Sequence, residues 1–169
     1  MKLISFSVEN FRSITTARKI PLSEYSLLVG ANNEGKSNIL RALALGMNAL
    51  VEWHRYIRRT VDGRTIRMPP EIVANRLNRM GYKWETDFPV SKQKKNSKIG
   101  RTNITLEFEL DPDEIEIFKD EIGSNLNGTL PLMISFSPQN FEVSVKKPGR
   151  GQATLTKKST RIADFVSKR

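Results

Sequence analysis

The sequence predicts an α/β domain in which one long helix packs on a mixed β-sheet, and three observations indicate this class. Residues 4–8 alternate apolar and polar side chains, as a strand with one buried face does. Residues 26–29 form a short apolar run that is typical of a central parallel strand covered on both faces. Residues 38–51 carry apolar side chains at helical spacing and contain no proline, so a helix follows this run after a glycine-rich loop.

The loop between the apolar run and the helix fits the pattern G-x-x-x-x-G-K-[ST]. A phosphate chain needs inward-pointing backbone N–H groups, a mobile cation and a hydroxyl that can bind a metal ion, and this spacing supplies all three. We expect Lys36 to reach the phosphate oxygens and Ser37 to bind Mg²⁺. The sequence therefore predicts a Mg-nucleotide site. Its residues are Gly30, Ala31, Asn32, Asn33, Glu34, Gly35, Lys36, Ser37 and Asn38.

The other elements come in an order that suits an α/β fold. The opening strand ends near Phe11, and a short second strand stops at Pro21, which cannot donate to a sheet ladder. Asp111 can cap a helix that begins at Pro112 and ends at Gly123. The remaining predicted elements are a helix at 71–80, a strand at 104–110, a hairpin of strands 132–136 and 141–145, and a final helix from about Ser159.

Composition limits the class of protein. The chain has 169 residues, of which 38% are hydrophobic, enough for one well-cored domain. It contains no cysteine, which excludes a disulfide framework and a thiolate zinc site, and its single histidine, His54, excludes a multi-histidine metal site. We interpret His54 as a surface residue near a helix end. Since no signal-peptide block or membrane-spanning run is present, we expect a cytoplasmic protein with no membrane partner.

The formal net charge of +10 is large for this length, and it is unevenly distributed. Basic residues dominate 55–67, 76–101 and 146–169, whereas carboxylates dominate 107–121. Basic blocks can supply the sequence-independent phosphate contacts on which nucleic-acid affinity rests, so DNA is a candidate partner. They can equally be solvated faces. We favour an exposed flexible loop for 91–101, because that run has no apolar periodicity to hold it in place.

The carboxylates at 107–121 are candidates for acid–base chemistry or metal binding, but we interpret them as structural. Glu107 and Glu109 lie on the outward face of an alternating strand. Asp113, Glu114 and Glu116 fall in the first turns of a helix, where negative charge is stabilising. The strand is amphipathic, unlike the continuously apolar strand that precedes the acids of a phosphate-loop enzyme.

Two segments together carry a family resemblance. The first is 10–14, Asn-Phe-Arg-Ser-Ile, and the second runs from Leu27 through the loop to Leu40. Their combination resembles the start of an ABC-type ATPase head, in the version shared by structural-maintenance-of-chromosomes (SMC) proteins, RecF-type repair ATPases and overcoming-lysogenisation-defect (OLD) nucleases. Many members have glycine where Asn33 stands, and asparagine is the residue that best replaces glycine at positive φ. The Asn-Asn form is most similar to the OLD branch, which includes ATPases of anti-phage defence.

The resemblance implies a mechanism in which ATP lies between two heads. One head offers the phosphate loop and the other a Ser-Gly-Gly-type signature loop. By position, Arg12 would lie near the nucleotide, its alternative being a surface role after the strand. Asn32, Asn33 and Glu34 would contribute backbone N–H groups. The implied partners are a second head, joined through a C-terminal lobe as a homodimer or head-to-head oligomer, and DNA or an effector nuclease as the output.

The departures from the family pattern bear on activity. The sequence contains no signature motif, no apolar strand ending in Asp-Glu and no later switch histidine, because His54 comes far too early. Without groups that orient water and stabilise charge, bound nucleotide hydrolyses slowly. We therefore expect residues 1–169 to be the N-terminal lobe of a P-loop NTPase head and a fragment of it, with an irregular or helical insertion at 60–101. Such a lobe binds Mg-ATP without hydrolysing it efficiently alone.

Two other classes stay open. One is a basic nucleic-acid-binding module whose phosphate loop is idle and whose basic blocks are the working surface. The other is a small stand-alone phosphate-loop kinase or GTPase. The latter needs an acceptor-binding lid or an Asn-Lys-x-Asp motif, and the sequence has neither. Salt-dependent DNA binding that ignores ATP would distinguish the first of these from an ATP-coupled head.

Overall fold

The computed structural model of the protein describes residues 1–30, 35–57, 70–93, 99–146 and 159–169. The strands are β1 (Lys2–Phe11), β2 (Ile14–Pro21), β3 (Thr102–Glu109), β4 (Thr129–Phe136) and β5 (Phe141–Val145). The helices are α1 (Lys36–Ile57), α2 (Pro70–Met80), α3 (Trp84–Asp87), α4 (Pro112–Ile122) and α5 (Ser159–Ser167). A 3₁₀ turn spans Val90–Lys92.

The strands form an antiparallel sheet in the order β2-β1-β3-β4-β5. Its register places apolar side chains opposite one another, since Phe6 of β1 pairs with Leu106 of β3, which pairs with Leu132 of β4. The register shifts twice along β1, once against each neighbouring strand, and such bulges bend a strand. Because side chains alternate along each strand, the sheet has one apolar and one polar face.

Helix α1 packs on the apolar face of the sheet, and α5 packs on α1. Helix α1 contacts β1 and β3, and α5 contacts α1 and α4. The buried side chains of α1 include Leu45 and Trp53, and those of β3 include Ile104 and Leu106. A Cβ on Gly46 of α1 would lie 3.0 Å from Cγ2 of Ile104, so this helix backbone closely approaches the sheet. The predicted α/β class, with the motif helix packed on the sheet, is confirmed. The sheet was predicted to be mixed, but every described pairing is antiparallel, because the apolar run at 26–29 adds no parallel strand.

Helix α4 begins and ends as the sequence predicts. Asp111 lies at its N-cap, where the carboxylate accepts a hydrogen bond from the Glu114 backbone N–H (2.8 Å), and the Glu114 carboxylate accepts one from the Asp111 N–H (3.1 Å). This reciprocal pair satisfies two N–H groups near the helix start. Pro112 occupies the first helical position, and Gly123 ends the helix in the left-handed conformation. The structural interpretation of Asp111 and Glu114 is confirmed.

Glu114 also joins segments that are distant in the chain. Its side chain is 10% exposed, and Oε1 accepts a hydrogen bond from the Met1 α-amino group at 2.6 Å. The Arg169 Nε lies 3.5 Å from the same oxygen, and the Arg169 guanidinium lies over the Phe165 ring of α5 at 3.9 Å. A buried carboxylate is tolerated when it is paired in this way. Glu114 therefore ties the start of β1 and the end of α5 to α4.

The predicted strand at 26–29 is wrong. Residues 26–30 form no regular secondary structure, and the side chains of Leu27 and Val29 are 70% and 84% exposed. A central parallel strand needs hydrogen-bonded neighbours and cover on both faces. In the described part of the chain, β2 and β5 are the outer strands of the sheet, and neither pairs with this run. The run therefore has the composition of a buried strand without strand partners.

The stretch predicted to be an insertion is described at 70–93 and 99–101. It contains α2, α3 and the 3₁₀ turn, and it lies between α1 and β3 along the chain. Residues 60–69 and 94–98 lie outside the described residues, so the loop predicted at 91–101 is seen only at its two ends, where Lys92 and Ile99 are exposed. No helix among the described residues combines the length and apolar character needed to cross a membrane.

Candidate functional site

The candidate site lies at the N-terminus of α1, where the glycine-rich motif ends. Helix α1 has 22 residues and begins at Lys36. Gly35 precedes it with a φ of 91°, which residues with a Cβ rarely adopt, and its carbonyl accepts a hydrogen bond from the Ile39 N–H (2.9 Å). The first N–H groups of a helix lack partners within the helix and carry partial positive charge. This geometry suits an anion such as a phosphate.

The Lys36 side chain links the two ends of the motif. Its ammonium group donates a hydrogen bond to the Gly30 carbonyl. The predicted site residues Ala31, Asn32, Asn33 and Glu34 lie outside the described residues. Ser37 lies exposed in the first turn of α1, where its hydroxyl is accessible to a metal ion. The structure thus brings Gly30, Gly35, Lys36 and Ser37 together, and the cation and hydroxyl of the motif lie at one helix end.

The turn between β1 and β2 lies against this helix end. The Asn38 side-chain amide donates a hydrogen bond to the Ser13 hydroxyl at 2.9 Å. A Cβ built on Gly35 would lie 3.7 Å from the same hydroxyl oxygen. These contacts place Arg12, the residue before Ser13, in the turn next to the motif. The family resemblance alone predicts that Arg12 lies near the loop, and the Asn38 to Ser13 bond supplies a physical reason for this position.

Arg12 is held by an acid that the sequence did not single out. Its Nε donates to Oδ1 of Asp87 at 2.8 Å, and its backbone N–H donates to the Asp87 carbonyl at 2.6 Å. The Arg12 backbone has a φ of 51°, and its guanidinium lies 5.5 Å from the centre of the Phe11 ring. The Asp87 side chain is 2% exposed, and its other oxygen accepts from the Lys83 N–H (2.8 Å). The one sequence signal for Asp87 is an acid within a strongly basic stretch.

A second set of contacts fixes the end of β1. Asn10 has a φ of 57°, its amide donates to the Arg101 carbonyl (3.2 Å), and its side-chain oxygen accepts from the Lys92 ammonium (2.6 Å). The Thr102 hydroxyl donates to the Asn10 carbonyl (2.6 Å) and lies 3.1 Å from the Tyr82 hydroxyl. Burial raises the pKa of Tyr82 to about 12. The Tyr82 phenol therefore stays protonated beyond the pH at which an exposed tyrosine ionises, and it can donate to Thr102.

The polar face of the sheet carries a groove of about 870 Å³. Some of its polar groups contact one another, because the Ser5 hydroxyl donates to the Glu107 carboxylate (2.7 Å) and the Lys19 ammonium lies 3.6 Å from that carboxylate. The charged side chains that line the groove are Glu9, Arg18, Lys19, Glu107 and Lys146. Charges of both signs are mixed here, so the groove is not a uniformly basic track for nucleic acid.

The described residues fit Mg-nucleotide binding better than a carboxylate metal centre. Among them, no group of three or more histidine, aspartate or glutamate side chains is arranged to hold a metal ion. The start of α1 offers the donors that a phosphate needs, together with the Lys36 cation and the exposed Ser37 hydroxyl. A metal held by Ser37 would take its other ligands from phosphate and water, as Mg²⁺ usually does.

Comparison with known proteins identifies the family of this chain. A protein-family model described as an AAA ATPase domain matches residues 1–167. The chain belongs to this family, whose members bind ATP as ATPases, usually with Mg²⁺. Its five-stranded sheet with the motif helix on one face is consistent with the N-terminal lobe of a P-loop NTPase. A search of the curated proteins finds no match.

Proposed function

We propose that this chain is the ATP-binding half of an ATPase head related to the SMC, RecF-type and OLD ATPases, most similar to the OLD branch. One observation carries the proposal. At the start of α1, a positive-φ glycine, a lysine that links the loop ends and an exposed serine lie beside the turn at 12–13. The two segments that carry the sequence resemblance, 10–14 and 27–40, meet at this point. Membership of the AAA ATPase domain family supports the proposal that the bound ligand is ATP.

Each described residue of the site has a chemical task in this proposal. Lys36 exchanges the Gly30 carbonyl for phosphate oxygens and neutralises their charge, because an ammonium on a flexible stem can follow the ligand. Gly30 and Gly35 let the backbone approach the phosphates. Ser37 binds Mg²⁺, and Arg12 points its guanidinium towards the nucleotide. Bound Mg-ATP supplies the phosphoanhydride bond whose cleavage powers a head.

Residues 31–34 and Asn38 complete the proposed site. Ala31, Asn32, Asn33 and Glu34 contribute backbone N–H groups, which form a concave anion site when successive N–H groups point inward. The Asn38 backbone N–H lies in the first turn of α1, where it can add to the positive potential of the helix end. Its side chain meanwhile holds Ser13. One residue thus serves both the phosphate loop and the adjoining turn.

We propose that the site is completed by a C-terminal lobe, so that residues 1–169 act as one lobe with an insertion at 60–101. The exposed apolar side chains at 27 and 29 support this, because a run of this composition is stable as a covered strand. The sequence offers no signature motif and no Asp-Glu strand end. The completed head would pair as a homodimer or head-to-head oligomer, and hydrolysis would depend on that assembly.

Such a head would be coupled to DNA or to an effector nuclease, and it would act in DNA repair or anti-phage defence. Two features support this part of the proposal. The net charge of +10 favours association with a polyanion, and the Asn32-Asn33 form of the loop is most similar to the OLD branch. Both features are read from the sequence and not from the structure.

The test is equilibrium binding of Mg-ATP by calorimetry to the wild-type chain and to Lys36→Ala. Loss of the ammonium removes a charge-assisted contact with the phosphates, so we expect the Kd for ATP to rise by about tenfold or more. The matched control is Lys119→Ala, which removes an exposed lysine from α4 and should leave the Kd unchanged. Equal ATP affinity in wild type and Lys36→Ala would refute the proposal.

The basic-module alternative is supported by the same net charge and makes the opposite prediction. In that case, DNA affinity falls steeply with salt and is indifferent both to ATP and to Lys36→Ala. For an ATP-coupled head, adding ATP changes DNA or partner affinity, and Lys36→Ala removes the change. A DNA titration at two salt concentrations, with and without Mg-ATP, separates the two.

A further inference from the structure

Resting on the proposed ATP site, we propose that Asp87 is a positioning residue for Arg12 and that it couples residues 82–93 to nucleotide binding. The two residues are 75 positions apart in the chain, yet they are joined twice, by a side-chain ion pair and by a backbone hydrogen bond. The segment that carries Asp87 lies within the stretch predicted to be an insertion. A structural element outside the phosphate motif would thereby orient a residue of the site.

The Asp87 carboxylate is buried and fully engaged. Its side chain is 2% exposed, Oδ1 accepts from Arg12 Nε at 2.8 Å, and Oδ2 accepts from the Lys83 N–H at 2.8 Å. Burying a carboxylate is costly unless a cation and hydrogen bonds compensate it. Arg12 supplies the cation, so the buried acid fixes where the guanidinium lies.

The contact leaves the far side of the guanidinium available. Asp87 engages Nε, and in the described part of the chain the structure assigns no hydrogen bond to the two Nη groups of Arg12. A guanidinium has five donors in a rigid fork, which matches the geometry of a phosphate. The Arg12 side chain is 32% exposed, and the next residue, Ser13, is bonded to Asn38 of α1. Arg12 is therefore clamped on one edge and open on the other, beside the phosphate loop.

The segment behind Asp87 is itself well supported. The Trp84 and Phe88 rings stack with centroids 5.2 Å apart, and the Trp84 Nε1 donates to the Gly100 carbonyl (3.3 Å). Gly100 has a φ of 140°, and a Cβ there would lie 2.3 Å from the Phe88 ring. The Gln93 side chain caps the Phe88 carbonyl at 2.9 Å. A rigid support of this kind lowers the cost of ordering Arg12 when a ligand binds.

Coupling of this kind is reciprocal. If Asp87 improves nucleotide binding through Arg12, then nucleotide bound at Arg12 must stabilise the segment at 82–93 by the same free energy. Occupancy of the ATP site would thus be sensed by an element that follows α2 in the chain. This gives the segment at 82–93 a role in signalling the nucleotide state.

The test is a double-mutant cycle on ATP affinity, with Arg12→Ala, Asp87→Asn and the double variant in the full chain. We expect each single variant to raise the Kd for Mg-ATP by roughly three- to tenfold, and the double variant to be no weaker than Arg12→Ala alone. Glu142→Gln is the matched control, because it neutralises an exposed acid that pairs with Arg101 at 3.1 Å, and its Kd should equal that of the wild type. The proposed coupling would be wrong if the two substitutions had additive effects on the free energy of ATP binding. It would also be wrong if Asp87→Asn bound Mg-ATP with the Kd of the wild type.

A second readout covers the case in which Asp87→Asn does not fold. Hydrogen exchange at 82–93 is measured with and without Mg-ATP in the wild type and in Arg12→Lys, which keeps the charge opposite Asp87 but lacks the fork. We expect ATP to slow exchange at 82–93 in the wild type and much less in Arg12→Lys; equal slowing in both, or none in either, contradicts the proposal. If the ATP site itself were wrong, the wild type would bind no ATP and Lys36→Ala would change nothing, which distinguishes the two failures.

Discussion

Tyr82 shows how one buried polar group can make the stability of the fold depend on pH. The side chain is 1% exposed, and its hydroxyl lies 3.1 Å from that of Thr102. Burial raises its pKa from 10.0 to about 12, because the phenolate is poorly solvated inside the protein. The folded state therefore favours the protonated phenol more strongly than the unfolded chain does.

We predict an alkaline loss of stability that depends on this residue. Since the folded pKa is raised, the contribution of Tyr82 is complete below pH 10 and is lost as the pH rises towards 12, by roughly 2 to 3 kcal/mol in all. Urea unfolding from pH 8 to 11.5 should show a steeper decline for the wild type than for Tyr82→Phe. The variant retains every lysine and arginine, so those groups cancel in the comparison. Parallel curves would contradict the assignment.

At the same scale, the sequence identifies the motif residues but not their supports. Gly35, Lys36 and Ser37 are predicted as site residues from the sequence, because their chemistry depends on spacing within one short segment. The partner of Arg12 could not be predicted, since Asp87 is reached only after the chain has folded across 75 positions. No local pattern of charge or hydrophobicity encodes such a contact.

At the scale of elements, the capped helix and the hairpin were predictable, whereas the run at 26–29 was not. Asp111, Pro112 and Gly123 act through hydrogen bonds and backbone angles within a few residues, so the sequence alone locates α4. A strand, in contrast, forms only when neighbouring strands provide hydrogen-bond partners and packing contacts. Leu27 and Val29 have the composition of a buried strand, but no described strand pairs with them.

The close approach of α1 to the sheet leads to a prediction about Gly46. A Cβ there would lie 3.0 Å from Ile104 and 3.4 Å from Leu106, so a larger side chain must push the helix away. We predict that Gly46→Leu lowers the free energy of unfolding by about 1 to 3 kcal/mol, despite its better helix propensity. Ala44→Leu, at an exposed position of the same helix, should change it by less than about 0.5 kcal/mol. Equal effects in urea unfolding would contradict the packing.

The exposure of the apolar run at 26–29 leads to a prediction about the stability of the chain. Leu27→Ser combined with Val29→Ser should leave the free energy of unfolding within about 0.5 kcal/mol of the wild type, because both side chains are already exposed. Leu45→Ser, at a side chain that is 4% exposed, should cost several kcal/mol, roughly 2 to 5. If the double variant were as destabilised as Leu45→Ser in urea unfolding, the run would have to be buried.

At the scale of the whole molecule, the sheet, α1 and the turn at 12–13 together form the helix end at which we propose that a phosphate binds. Helix α1 packs on the sheet and α5 packs on α1 and α4, which fixes that end in place. The ion pair of Arg12 with Asp87 extends the arrangement to the segment at 82–93. The net charge of +10 is a property of the whole molecule, and it can favour a polyanionic partner without defining the site.

The most direct test of the central claim is an NMR titration of the labelled chain with Mg-ATP, following backbone amide shifts. We predict the largest changes at Gly35, Lys36, Ser37 and Asn38, smaller changes at the turn at 12–13, and the loss of both in Lys36→Ala. Changes confined to the polar groove of the sheet, or no changes at millimolar ATP, would contradict it.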